Sequence, residues 1–209
     1  MIQVSVTLVQ NSLVSKKYLE TIKALDGVCY HLEYHQRRLE GVLNSLNAEH
    51  KYKLSSLLLP PKKGLFRCRV VYDEEQIEIS YIPYQKREIK SLKIVASNKI
   101  EYSNKYADRS AIDKLFMKKE QCDDILIVKN SLITDTSIAN IAFFDGAVWL
   151  TPKTPLLYGT TRERLLNESK IVEQDIKIED INGFLKVALM NAMIDFAIIA
   201  EENIGEIIC

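Results

Sequence analysis

Residues 129–166 read KNSLITDTSIANIAFFDGAVWLTPKTPLLYGTTRERLL, and this stretch decides how the rest of the chain is interpreted. Apolar runs at residues 138–144 and 147–150 predict two strands, joined at Asp145-Gly146, a residue pair that suits tight turns. Thr160-Thr161 then predicts the cap of a short helix. The stretch therefore alternates short strands with tight turns and ends at the start of a helix.

The N-terminal half of the chain predicts an antiparallel sheet that is covered by one helix. Residues 18–24 and 28–32 flank Asp26-Gly27, which favours a hairpin between two strands. From Glu33 onward the apolar residues change to helical spacing. Further strands are predicted at residues 1–9, 65–72, 76–84 and 92–97.

The C-terminal half returns to helical spacing at residues 107–119 and then continues as strands. The runs with a strand pattern are residues 124–129, 138–144, 147–150, 171–178, 184–190 and 194–200. Residues 97–103 are polar and have no clear period, so we interpret them as a linker between two lobes. The predicted division is a small α+β lobe at residues 1–97 and a larger lobe at residues 98–209.

Composition excludes several classes of protein. A length of 209 residues allows a sizeable core, and 28 Lys plus Arg balance 28 Asp plus Glu, so no net charge attracts nucleic acid or an anionic membrane. No stretch approaches the ~20 apolar residues of a membrane span, and we expect a cytoplasmic protein. The four cysteines are widely spread, which favours reduced thiols and no metal site.

An ordered set of short motifs runs through the quoted stretch: Asp135, Asn140, Gly146, Thr151-Pro152 and Leu157-Tyr158-Gly159-Thr160-Thr161-Arg162. The set resembles the signature of the fold type IV pyridoxal-phosphate enzymes, a family of branched-chain aminotransferases, D-amino-acid aminotransferases and 4-amino-4-deoxychorismate lyases. Further matches extend over most of the chain and comprise His35-x-x-Arg38-Leu39, Lys105, and the turn at Asn191-Ala192.

This resemblance implies a fold, a cofactor and an assembly. The expected fold is α/β (α+β) with two lobes: a small N-terminal antiparallel α+β lobe and a larger C-terminal lobe with a mixed β pseudo-barrel. Pyridoxal 5'-phosphate is expected between the lobes, and a homodimer is expected as in the family. The partner is a small molecule with an amino group.

The resemblance also implies a role for each matched residue. Lys105 is the catalytic amine that forms a Schiff base with the cofactor, which requires an unprotonated nitrogen. Asp135, where the family usually carries Glu, partners the pyridine nitrogen. The other predicted cofactor contacts are Arg38 and Gly159, Thr160 and Thr161 for the phosphate, Leu157 against a ring face, and Asn140, Asn191 and Ala192.

Two short segments favour one reaction within the family. The segment from Lys105 to Arg109 reads KYADR and is similar to the Lys-x-x-Asn-Arg arrangement of aminodeoxychorismate lyases, as is the Asn-Ala-Met turn at Asn191. Such a lyase eliminates pyruvate and leaves 4-aminobenzoate for folate synthesis. A class IV aminotransferase of the branched-chain or D-amino-acid type remains the alternative, followed by a cofactor-binding protein without turnover.

Substrates of either reaction carry carboxylates, so the site should contain an arginine for them. Arg67 and Arg69 alternate on one predicted strand and therefore point to the same face. Arg109 and Tyr84 are further candidates for substrate contact, and Tyr18, Tyr81 and Tyr106 are weaker candidates for the pocket wall. Considered singly, each arginine is equally typical of the solvent face of a strand or helix.

Overall fold

Two β-sheets organise the chain, and each has its own hydrophobic core. The computed structural model describes residues 16–201 and 204–208, so the strand predicted at residues 1–9 lies outside the described residues. The small sheet consists, in spatial order, of β2 (Val28–Cys29), β1 (Tyr18–Leu25), β3 (Leu65–Tyr72) and β4 (Ile77–Pro83). All of its pairs are antiparallel, which confirms the prediction for the N-terminal half.

The larger sheet has eight strands and is mixed. Its main path runs through β10 (Val172–Gln174), β9 (Trp149–Pro152), β8 (Asn140–Phe144), β7 (Leu132–Thr136), β6 (Asp124–Lys129) and β5 (Leu92–Ala96). Off this path, β11 (Lys186–Asn191) pairs with β8, and β12 (Asp195–Ala200) pairs with β11. The pairs β5–β6 and β9–β10 are parallel, whereas the others are antiparallel.

The helices are short apart from the first. They are α1 (Leu32–Ser45), α2 (Leu54–Leu57), α3 (Ser110–Phe116), α4 (Thr160–Asn167) and α5 (Ile204–Ile207), with a 3₁₀ helix at Ile178–Gly183. The helical spacing predicted from Glu33 is confirmed by α1, and that predicted at residues 107–119 by the shorter α3. Within the described ranges, no helix has the length and hydropathy needed to cross a membrane.

The small lobe is built from a hairpin and one amphipathic helix. Asp26 and Gly27 have positive φ angles of 47° and 85°, which close the tight turn between β1 and β2. α1 packs its apolar stripe on the sheet, with Leu39 fully buried beside Ile22. Because this packing fixes the rotation of α1, it also fixes the direction of Arg38, the residue before Leu39.

The strand β5 belongs to the larger sheet, where it pairs in parallel with β6. The sequence alone predicts this strand in the small lobe, with the boundary after residue 97. Parallel strands are joined by long connections, and local sequence patterns do not reveal which distant strand is the partner. The division into two lobes remains a proposal, and we now place its boundary before Leu92.

One strand of the larger sheet, β7, was not predicted. Its residues Thr134, Asp135 and Thr136 are polar but buried, whereas an apolar alternation is the usual signal of a strand. The strand predicted at residues 171–178 is confirmed only in part, as the short edge strand β10. The unexpected polar strand is the one that carries Asp135 into the interior.

Backbone hydrogen bonds join the small sheet to the segment that carries Lys105. The N–H of Leu19 donates to the carbonyl of Lys105 at 2.8 Å, and the N–H of Ala107 donates to the carbonyl of Lys17 at 2.8 Å. Lys105 and Ala107, on either side of Tyr106, therefore continue the hydrogen bonding of β1. These bonds hold Lys105 at the contact between the two lobes.

Candidate active site

A cavity of about 340 Å³ is walled by both lobes. β1, β3 and α1 contribute from the small lobe, while β7, β8, β11 and the start of α4 contribute from the larger one. Every residue predicted to contact cofactor or substrate lines this cavity: Arg38, Arg67, Arg69, Tyr84, Lys105, Arg109, Asp135, Asn140, Leu157, Gly159, Thr160, Thr161, Asn191 and Ala192. The fold thus brings together residues from both halves of the chain.

Three tyrosines considered for the pocket wall lie elsewhere. Tyr18 and Tyr106 pack together in the core of the small lobe, with their ring centroids 5.5 Å apart. Tyr81 lies on β4 beside the thiol of Cys68, so the wall prediction is wrong for all three. Tyr102, which was not predicted, lines the cavity, and its hydroxyl donates to the carbonyl of Tyr106 at 2.9 Å.

Lys105 offers an amine that is partly unprotonated at neutral pH. Burial and the nearby Arg38 guanidinium lower the pKa of Lys105 to about 7, although the carboxylates of Glu20 and Asp135 act in the opposite direction. An ordinary lysine is almost entirely protonated at this pH and is a poor nucleophile. The surroundings of Lys105 therefore give it the reactivity that attachment to an aldehyde requires.

Asp135 is a buried carboxylate whose two oxygens are both held. The side-chain amide of Asn140 donates to Oδ1 at 2.7 Å, and the backbone N–H of Leu157 donates to Oδ2 at 2.9 Å. Burial outweighs these bonds and raises the pKa of Asp135 to about 7. A protonated ring nitrogen placed against Asp135 would favour its ionised form, because an opposite charge stabilises a carboxylate.

Asn140 reaches Asp135 because residue 159 is a glycine. Besides its bond to Asp135, Asn140 Nδ2 donates to the carbonyl of Leu157 at 2.8 Å, which joins β8 to the connection before α4. A Cβ at position 159 would lie 2.0 Å from Asn140 Oδ1. The glycine of the Leu-x-Gly motif therefore makes room for the amide that orients the carboxylate.

Arg38 is held in place by a buried carboxylate. Its Nε donates to Glu20 Oε1 at 2.7 Å and its Nη2 donates to Oε2 at 2.5 Å, a bidentate pair. Burial alone would raise the pKa of Glu20, but Arg38 and the hydrogen bonds from His35 and Arg38 lower it to about 2. Because Glu20 is ionised, His35 Nδ1, at 2.6 Å from Oε2, is the donor toward it.

Sequence reasoning missed Glu20, although the sequence holds a signal for it. On β1 the side chain of Glu20 has the same phase as Tyr18 and Ile22, which are buried, so a charged residue occupies an apolar row. A buried carboxylate requires a buried partner. The sequence does not show that α1 brings Arg38 to this position, and the partner was therefore not recognised.

Two backbone turns face the same side of the cavity. α4 begins at Thr160 with Gly159 as its N-cap, so the cap is the glycine rather than a threonine as predicted. The first N–H groups of a helix have no partner within it and attract anions. The turn that follows β11 contributes Asn191, whose Oδ1 accepts the N–H of Met193 at 2.9 Å.

These residues fit the cofactor that the sequence implies. Lys105 supplies an amine for the aldehyde, Asp135 a carboxylate for the ring nitrogen, and the start of α4 backbone donors for a phosphate. The close approach of Asn140 to Gly159 leaves no room for a larger residue at that turn. The geometry is thus compatible with pyridoxal 5'-phosphate.

Three further cations line the cavity. Arg67 and Arg69 alternate along β3 with Cys68, which is buried on the opposite face. Arg109 lies just before α3, and its Nη2 donates to the carbonyl of Ser137 at 2.9 Å. Ser137 lines the cavity as well and had no signal in the sequence. With these cations the cavity is suited to an anionic small molecule.

The chain matches known proteins over most of its length. Residues 83–201, more than half of the chain, match the family model described as amino-transferase class IV. A protein of Haemophilus influenzae described as uncharacterised is 40% identical over 180 residues, which make up 83% of this chain and 96% of that protein.

Solved structures share the fold. A protein of Haemophilus somnus, described as a candidate 4-amino-4-deoxychorismate lyase, is 33% identical with a TM-score of 0.77, covering 85% of this chain and 96% of that one. The PLP-bound form of a hypothetical aminotransferase from Mycobacterium tuberculosis is 14% identical with a TM-score of 0.72, covering 90% and 81%. At 14% identity this second likeness shows the fold alone.

We expect Gly159→Ala to weaken binding of pyridoxal 5'-phosphate by about tenfold or more, because the added Cβ displaces Asn140 and removes its hydrogen bond to Asp135 Oδ1. Absorbance titration of the purified protein measures the affinity. Gly183→Ala is the matched control, since no atom of the described chain lies within 4 Å of the Cβ added there. Unchanged affinity in Gly159→Ala would contradict the steric role of the glycine.

We expect the reactivity of Lys105 toward a neutral amine reagent to have its midpoint near pH 7 instead of near 10.5. The neutral amine predominates above pH 7 and is lost as the pH falls below it. Acetic anhydride labelling followed by peptide mass spectrometry measures the rate at Lys105, with the exposed Lys63 as an internal reference. A midpoint above pH 9 at Lys105 would refute the lowered pKa.

Proposed function

This chain belongs to the class IV aminotransferase family, and on that basis we propose that it is a 4-amino-4-deoxychorismate lyase, which eliminates pyruvate and leaves 4-aminobenzoate. It is a pyridoxal-phosphate-dependent enzyme with the fold type IV architecture expected from its motifs. Within the family, the alternative is an aminotransferase of the branched-chain or D-amino-acid type. The proposal extends to the roles of the residues that line the cavity.

The observation that carries the proposal is a set of three guanidinium groups in one cavity with Lys105: Arg67, Arg69 and Arg109. The other arginine of the cavity wall, Arg38, is paired with Glu20, so its charge is already compensated. The lyase substrate carries two carboxylates, and a planar guanidinium can bind a carboxylate through two parallel hydrogen bonds. The cavity therefore matches a dianionic substrate.

Arg109 supports the lyase over the alternative. It lies in the lyase-like segment that begins at Lys105, and the carbonyl of Ser137 holds it in the cavity wall. Asp108 replaces the asparagine of that segment, but it is exposed and accepts the N–H of Ser110 at 2.8 Å, so this change affects the start of α3 and not the cavity. The 33% identical relative, described as a candidate lyase, supports the same choice.

The residues of the cavity divide the chemistry among them. When bound, pyridoxal phosphate supplies a conjugated ring that accepts the electron pair of the bond being broken. Lys105 Nζ, with a pKa near 7, accepts the substrate proton and returns it to the departing fragment. Asp135, held by Asn140 and the N–H of Leu157, keeps a proton on the ring nitrogen. Leu157, which lines the cavity, would pack against the ring.

We further propose that the enzyme is a homodimer and that its product enters folate biosynthesis. Both follow from the resemblance to the lyases of the family. Size-exclusion chromatography with light scattering measures the mass of the particle, and a monomer at assay concentrations would rule out the dimer.

The reaction can be tested directly on the purified holoenzyme. We expect 4-amino-4-deoxychorismate to give 4-aminobenzoate and pyruvate in equal amounts when no keto acid is added, and Lys105→Ala to abolish turnover because it removes the amine. Chromatography of 4-aminobenzoate and a coupled assay of pyruvate measure both products. Turnover that requires an added keto acid as the acceptor of the amino group would indicate an aminotransferase and contradict the lyase. Attachment of the cofactor without either reaction would indicate a cofactor-binding protein without turnover.

We expect Arg109→Met to lower kcat/KM for the lyase substrate by about 100-fold, because one substrate carboxylate loses its charged partner. The affinity for pyridoxal phosphate should stay the same. Arg87→Met is the matched control for loss of a partly buried ion pair, because Arg87 lies outside the cavity and contacts the carbonyl of Asp123 and the carboxylate of Asp124. Equal losses in the two variants would show that Arg109 does not contact the substrate.

A further inference from the structure

Arg164 connects the two backbone turns that face the phosphate side of the cavity, although it lies outside the cavity wall. It follows Thr160 by four residues and therefore lies on the same face of α4, one turn further along. Its Nη2 donates to Asp195 Oδ1, and its Nη1 donates to Glu168 Oε1 at 2.9 Å. Arg164 is buried, with 7% of its surface exposed, whereas its two carboxylate partners reach the solvent.

Asp195 belongs to the turn that carries Asn191 and Ala192. In the ladder between β11 and β12, Asn191 pairs with Asp195, so the two residues close the turn. Asn191 Oδ1 accepts the N–H groups of Met193 and Ile194 at 2.9 and 3.1 Å, which fixes the turn internally. A residue that binds Asp195 therefore also restrains the position of this turn.

We propose that Arg164 is a positioning residue that sets the distance between the start of α4 and the Asn191-Ala192 turn, and so shapes the site for the cofactor phosphate. α4 contributes its first N–H groups together with Thr160 and Thr161, and the turn contributes its own backbone from the other side. The inference rests on the proposed placement of the phosphate. It does not depend on the proposed lyase reaction.

The two carboxylates around Arg164 have different consequences for this site. Glu168 caps the C-terminal end of α4, four residues after Arg164, and has no contact that spans from α4 to the turn. Asp195 is on the turn and links it to α4. Removing Asp195 leaves Arg164 paired with Glu168, so no buried cation is left without a partner. The contact between Arg164 and the turn can thus be removed while Arg164 keeps one carboxylate partner.

The test compares two aldehydes that differ only in the phosphate, pyridoxal 5'-phosphate and pyridoxal. The dissociation constant of pyridoxal divided by that of pyridoxal 5'-phosphate measures what the phosphate contributes to binding. We expect this ratio to fall about fivefold to tenfold in Arg164→Met and in Asp195→Gly, as expected for coupled groups in contact. Glycine suits position 195 because Asp195 has a positive φ of 58°.

Glu168→Gln is the matched control and should leave the ratio unchanged, since it alters the partner of Arg164 that does not reach the turn. Thermal melting shows whether each variant folds. If Arg164→Met does not fold, Asp195→Gly still provides the test. Equal losses for both aldehydes would indicate general loosening and would overturn the proposal, as would an unchanged ratio. Equal affinity of the wild-type protein for both aldehydes would also overturn the proposal. The readout needs no turnover, so failure of the lyase assay is a separate result.

Discussion

The buried ion pair between Glu20 and Arg38 is the interaction on which the cavity depends. Among the described residues that line the cavity, four arginines and Lys105 face a single acidic residue, Asp135. Glu20 supplies the missing negative charge from behind the wall and joins β1 to α1. Glu20 also limits the effect of Arg38 on Lys105, because Arg38 lowers the pKa of that amine and Glu20 raises it. The same pair thus links the packing of the small lobe to the reactivity of the site.

The residues of the cavity wall could be found from the sequence where they belong to a motif shared with the family. Gly159 is such a case, and the structure supplies its physical reason, because a Cβ there would lie 2.0 Å from Asn140 Oδ1. Glu20 and Arg164 follow no local rule, since their partners Arg38 and Asp195 lie 18 and 31 positions away. Side chains that act through a remote partner become recognisable only when the fold has placed the partner beside them.

The same distinction holds for the fold. The hairpin at Asp26-Gly27 and the helix α1 were predictable, because turn residues and apolar periodicity act over a few positions. The strand β7 was not, since Thr134 and Asp135 are buried as polar groups with hydrogen-bond partners that other strands and turns provide. The placement of β5 was missed because its parallel partner β6 lies beyond α3 in the sequence.

The backbone bonds that join β1 to the segment around Lys105 constrain how the two lobes can move. The backbone of Lys105 is hydrogen-bonded to Leu19, the neighbour of Glu20 on β1. Any displacement of the small sheet that preserves these bonds therefore carries the backbone of Lys105 together with the strand that bears Glu20. The reacting amine and the carboxylate that raises its pKa thus belong to one hydrogen-bonded frame.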